Sequence, residues 1–131
     1  MSIKKIIQPQ NASSPVGPYS HAVRAGDFLF CSGQIPLDPS KPDQILSEMS
    51  IAAQTQQVMR NIQNILEHEH LSLANVVKTT VFLTNLADFA VLNEVYGRFF
   101  TKDAPARSTV QVAALPKGAS VEIEVVAVYG N

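Results

Sequence analysis

Apolar and polar residues alternate along this chain with two different periods, and the changes of period mark its elements. Ile3–Ile7 is a short strand candidate. Residues 8–18 are polar and interrupted by prolines, ending in Gly17-Pro18-Tyr19, and read as loop. His21–Ala25 and Phe28–Ser32 flank Gly26-Asp27, the signature of a tight hairpin. Leu37–Gln44 carries Pro39 and Pro42 and must be loop. From about Ser50 the period becomes helical: Ile51, Thr55, Val58, Ile62, Ile65 and Leu66 form one stripe. Gln56, Arg60, Gln63 and Glu67 occupy the opposite side, and Ser47 or Ser50 can cap the first turn. Val76–Leu83 is rich in β-branched residues and predicts a strand with Val77, Thr79, Val81 and Leu83 on one side. A second helix is expected over Asp88–Phe100, with Phe89, Leu92, Tyr96, Phe99 and Phe100 on its apolar stripe. Pro105 prevents its continuation. Two last strands follow, Ser108–Val112 and Val121–Val128, joined through a Pro116-Lys117-Gly118 turn.

The order β-β-β-α-β-α-β-β predicts an α+β fold in which a mixed sheet of about six strands carries both helices on one face. The last strand sharpens this expectation. Val121, Ile123, Val125, Ala127 and Tyr129 make one continuous apolar side; the other reads Glu122, Glu124, Val126, Val128. No helix is left to cover that second, half-apolar side, so it is expected to meet another subunit.

Composition supports the same picture. The 131 residues suit one domain, 1–131, with a small core. Only 16% are charged against 46% hydrophobic, where roughly 25% charged is usual, which again hints at a buried subunit interface. A net charge of −1 and no basic block beyond Lys4-Lys5 disfavour nucleic acid or membrane binding by broad electrostatics. The lone Cys31 excludes an internal disulfide and a Cys-rich zinc site, and is expected to be packed. No apolar run reaches the roughly 18 residues of a spanning helix, and the first residues do not read as a signal peptide. A cytoplasmic protein is the expectation.

Arg107 is the leading functional candidate. It follows Ala104-Pro105-Ala106 and opens a β-prone run, while Glu122 sits on a strand expected to lie beside it. Charges placed in apolar surroundings carry a cost and often serve a site. A planar guanidinium suits a small carboxylate, to which it donates two parallel hydrogen bonds. From the residues alone, a structural ion pair between subunits remains an equal alternative. Glu124 reads as a rim residue. His68-Glu69-His70 looks like a metal dipeptide but reads as a solvated helix end, and the Phe99-Phe100 pair as core.

Gly17-Pro18-Tyr19-Ser20, Ser32-Gly33-Gln34-Ile35-Pro36, Val77-Lys78-Thr79-Thr80-Val81-Phe82, Asn93-Glu94-Val95-Tyr96, Pro105-Ala106-Arg107-Ser108 and Val121-Glu122-Ile123-Glu124 occur in this order over nearly the whole chain. In this it resembles the RidA (YjgF/YER057c/UK114) family of reactive-intermediate deaminases. The resemblance implies a chorismate-mutase-like fold and a homotrimer, sheets packed toward the centre, with ligand clefts between subunits. It implies 2-iminobutanoate/2-iminopropanoate deaminase activity on imines and enamines released by pyridoxal-phosphate dehydratases, a metabolite damage control role that requires no cofactor and no metal. By the same motifs Arg107 binds the carboxylate, and Glu122 positions or activates water. Tyr19, Ser32, Gly33, Asn93 and Thr109 line the cleft. Thr109 stands where the family often has cysteine, and His21 where it often has glutamine. Two other readings attach to such a chain: a non-enzymatic regulatory protein that binds a small carboxylate such as a 2-oxo acid, and an endoribonuclease or translation inhibitor. The balanced charge argues against the latter.

Overall fold

The computed structural model describes residues 3–130. Its strands are β1 (Lys4–Ile7), β2 (Ala22–Ala25), β3 (Phe28–Gln34), β4 (Val76–Leu83), β5 (Ala106–Gln111) and β6 (Val121–Val128). Its helices are α1 (Ile51–His68), between β3 and β4, and α2 (Phe89–Phe99), between β4 and β5. The strands form one sheet in the order β1-β2-β3-β6-β4-β5, antiparallel throughout except for the parallel pair β4/β5. α2 supplies the crossover that a parallel pair requires. The α+β architecture expected from the element order is therefore observed. No described helix is long and apolar enough to cross a membrane.

The sheet has two unlike faces. Cross-strand register places Ile7, Ala22, Cys31, Val125, Thr79 and Arg107 in one row. All of these but Arg107 are buried. α1 covers this face with Val58, Met59, Ile62, Ile65 and Leu66, all almost wholly buried. Burial of each such side chain contributes roughly 1.5–3 kcal/mol. Ser50 caps α1 by accepting a hydrogen bond from the Ala53 amide at 3.1 Å, a contribution of about 1 kcal/mol. The other face has no helix on it. Its rows are Ile6-Val23-Phe30-Val126-Lys78, Glu124-Thr80-Ser108 and Glu122-Phe82-Val110. Phe28 and Phe30 are 45% and 48% exposed there.

Three expectations need correction. Val77 is exposed, because β4 bulges between Val76 and Lys78 and the extra residue is turned out of the core; Val76 is buried in its place. On α2 the buried residues are Leu92, Val95 and Tyr96, whereas Phe89 is 39% exposed. Finally, β5 and β6 are not neighbours, since β4 lies between them.

Gln54 joins the loops that flank the sheet. It is buried, its Nε2 donates to the carbonyls of Leu46 (3.0 Å) and Met49 (3.1 Å), and its Oε1 accepts from the Ser120 amide (2.8 Å). Gln54→Leu leaves the Met49 carbonyl and the Ser120 amide without these partners, while the Leu46 carbonyl keeps the Met49 amide. It is expected to cost about 2–4 kcal/mol, read as a lowered urea midpoint at fixed protein concentration, with an unchanged m-value.

Candidate functional site

The predicted site residues fall into two groups on opposite faces of the sheet. Glu122 and Glu124 project from the open face of β6, two residues apart. Opposite them β3 bulges: Ser32 and Gly33 together face the single residue Glu124, between the pairs Cys31/Val125 and Gln34/Ile123. The Glu122 carboxylate lies directly over Gly33, where any side chain would collide with it: a Cβ there would come within 2.8 Å of Glu122 Cδ. Glycine is needed for this close approach. The Ser32 hydroxyl donates to the Ser20 carbonyl at 2.6 Å, and the Ser32 amide donates to the His21 carbonyl at 2.9 Å. These bonds bring the segment that carries Tyr19 against the bulge. Tyr19 itself is partly exposed, and its Oη accepts from the Val16 amide at 3.2 Å. Burial pushes the Glu122 carboxyl above its ordinary range, and the like charge of Glu124 adds to the effect.

The second group lies on the helix-covered face. Arg107 and Thr109 alternate on β5 toward α2. The guanidinium stands 4.9 Å from the centroid of the Tyr96 ring and 5.5 Å from that of Phe89, both within cation–π range. Phe89, Asn93 and Tyr96 share one stripe of α2. The side-chain oxygens of Asn93, an acceptor, and Thr109, a hydroxyl that both donates and accepts, are buried without a hydrogen-bond partner among the described residues, and such groups are costly to leave unmet. Tyr96 bonds to Thr79 at 2.8 Å. Burial raises its pKa, partly opposed by the Thr79 hydrogen bond and by the Arg107 charge.

Within one chain, then, Arg107 and Glu122 do not share a pocket, and the expected pair on neighbouring strands is corrected. Period two on each strand, with β4 in between, sends the two charges to opposite faces. Phe89 and Tyr96 were missed as neighbours of Arg107 because their spacing on α2 reads equally well as core. Cys31 is packed among apolar neighbours, and burial pushes its thiol up to about 12.

The family model described as Endoribonuclease L-PSP matches residues 9–129. The chain belongs to the RidA family. It is 43% identical over 124 residues to Reactive Intermediate Deaminase A, chloroplastic, of Arabidopsis thaliana, covering 95% of this chain and 65% of that one. The crystal structure of RidA from the Antarctic bacterium Psychrobacter sp. PAMC 21119 superimposes with a TM-score of 0.89 at 45% identity, over 95% of this chain and 99% of that one. E. coli TdcF with bound serine gives a TM-score of 0.89 at 40% identity, over 96% and 99% of the two chains. The six-stranded sheet with both helices on one face is thus the fold of known RidA structures.

The raised Glu122 pKa carries a stability cost with a defined pH window. The cost is absent below the ordinary value of 4.5 and grows to its full size as pH rises through the folded pKa. Glu122→Gln removes the charge. Its urea midpoint is expected to exceed that of the native chain at about pH 7 and to converge on it at about pH 4.

Proposed function

We propose that the protein is a deaminase of small 2-imino acids, with 2-iminobutanoate and 2-iminopropanoate as substrates. It would act in the cytoplasm on imines and enamines released by pyridoxal-phosphate dehydratases, yielding 2-oxo acids and ammonia. The observation that carries this reading is the division of one chain into two complementary half-sites on opposite sheet faces. One face offers a guanidinium with unpartnered polar groups on Asn93 and Thr109, the other a carboxylate over a glycine bulge. Bringing the open face of one copy against the Arg107 face of the next completes a cleft at each contact. Such a heterologous contact closes into a ring, here a homotrimer. The exposed Phe28, Phe30 and Val110 support burial of the open face.

The chemistry follows from the substrate. A 2-imino acid has one fixed anion and an electrophilic carbon beside it. Arg107 grips the carboxylate with two charged hydrogen bonds, worth about 1.5–3 kcal/mol each. Glu122 of the adjoining copy takes a proton from water as the oxygen adds to C2. The same carboxyl returns that proton to nitrogen, giving a carbinolamine; it then carries the hydroxyl proton to nitrogen as the C–N bond breaks, so that C2–O becomes the 2-oxo carbonyl and ammonia leaves. In the single chain burial holds this carboxyl above its ordinary range, a direction that favours proton exchange nearer neutral pH. Tyr19, Ser32 and Gly33 wall one side of the cleft; Asn93 and Thr109 wall the other. The serine held by TdcF carries the same carboxylate and α-nitrogen, which supports a ligand of this class.

Two variants test the reading, assayed by 2-oxo acid release from dehydratase-generated imine above the spontaneous rate. Arg107→Ala and Glu122→Gln are each expected to lose about 100-fold or more in kcat/KM, with assembly intact by sedimentation. Refolded together in equal amounts, the two inactive chains should regain about a quarter of native activity, because a site drawing its two halves from different chains is intact in that share of random contacts. No recovery in verified mixed oligomers rejects the shared cleft; native activity in Arg107→Ala rejects the anchor.

A further inference from the structure

His21 takes no part in the chemistry above, yet it is 94% buried, from its 6% exposure, at the junction of three elements of the open-face half-site. It lies immediately before β2, and its carbonyl accepts the Ser32 amide. Its Nε2 bonds to the carbonyl of Ser13, in the loop that carries Tyr19. A carbonyl can only accept, so Nε2 must hold the proton, and a neutral ring then has Nδ1 as an acceptor. Nδ1 is buried with no partner among the described residues. His21 also lines a cavity of about 30 Å³ together with Ser13, Tyr19, Gly33, Gln34 and Asn61. That space is enough to admit water, and the polar lining suits it.

We propose that His21 is a positioning residue for the cleft: its imidazole ties the Ser13 end of the loop to the residue whose carbonyl holds the Ser32-Gly33 bulge, donating through Nε2 to the loop and accepting through Nδ1 from water in the cavity. The catalytic consequence rests on the proposed deaminase reading; the latch itself does not. Tyr19 and Gly33 flank the same cavity, and Gly33 is the seat of the Glu122 carboxylate. A loop held at Ser13 therefore presents Tyr19 in register with the carboxyl that handles water. Without the latch, the Ser32 bonds to the Ser20 and His21 carbonyls would still hold the C-terminal end of the loop. Its Ser13 end would lose its tie to the segment before β2, leaving the Val16 amide to Tyr19 Oη and the Tyr19 amide to the Gly17 carbonyl to order the rest. Glutamine offers the same pair of functions, one donor and one acceptor, with no charged form; leucine offers neither.

Ring nitrogen NMR of the native protein is the first test, and needs no variant. Nε2 should carry the proton and Nδ1 should not; the opposite tautomer overturns the proposal. Hydrogen exchange gives the second. His21→Leu should speed exchange of the Val16 and Tyr19 amides at least about 10-fold while α1 amides are unchanged, and His21→Gln should restore protection. Unchanged loop exchange in a folded His21→Leu protein overturns the latch. Kinetics give the third. His21→Leu should lower kcat/KM about 10-fold, His21→Gln should recover most of it, and His21→Leu added to Tyr19→Ala should cost little beyond Tyr19→Ala alone. Full additivity in that cycle means His21 does not act through Tyr19. Should the native protein release no 2-oxo acid, the deaminase reading falls, while the exchange and NMR results still decide the latch.

Discussion

One-sided coverage of the sheet is the constraint from which the site follows. β6 lies between β3 and β4 and contacts α1 through Val121, Ile123, Val125 and Ala127, all at most 2% exposed. Once that side is committed to the core, period two commits Glu122 and Glu124 to the other. A slip of one residue would bury two carboxylates under α1, so the register is held by the large energetic difference between the faces. β5, two strands away and parallel to β4, is held by the same pleat and turns Arg107 toward α2.

Much of this was legible in the sequence, because it depends on local period. The two helices, the hairpin at Gly26-Asp27 and the apolar side of β6 all follow from spacing, and Ser50 was among the expected caps. The relations that failed were the non-local ones. Nothing in residues 106–128 says that β4 will be inserted between β5 and β6, so Arg107 and Glu122 looked like neighbours. The slip at Val77 has the same origin, for an extra residue in a ladder is defined by its partner strand. Phe89 was read as core because an apolar stripe does not state whether a guanidinium or another hydrocarbon will cover it. The candidate site residues, by contrast, came from motifs, and the structure places them in two groups rather than one.

The two halves are electrostatically unlike. Arg107 lies against aromatic faces that favour a cation and is near no carboxylate among the ion pairs of the described residues, which are His68/Glu69 and Arg98/Glu94. Glu122 is partly desolvated beside a second negative charge. Each group is thus unbalanced in charge, and the two are opposite in sign. Keeping a carboxyl in this condition costs the chain some stability at neutral pH.

Cys31 lies one residue from the bulge, on the covered side of the sheet, with its thiol raised to about 12. The thiolate is the reactive form of sulfur, and at neutral pH it would make up only on the order of one part in 10⁵ of this group. It is the sole cysteine in the sequence. An alkylating or oxidising small molecule that reaches the bulge therefore finds no ready thiolate at Cys31.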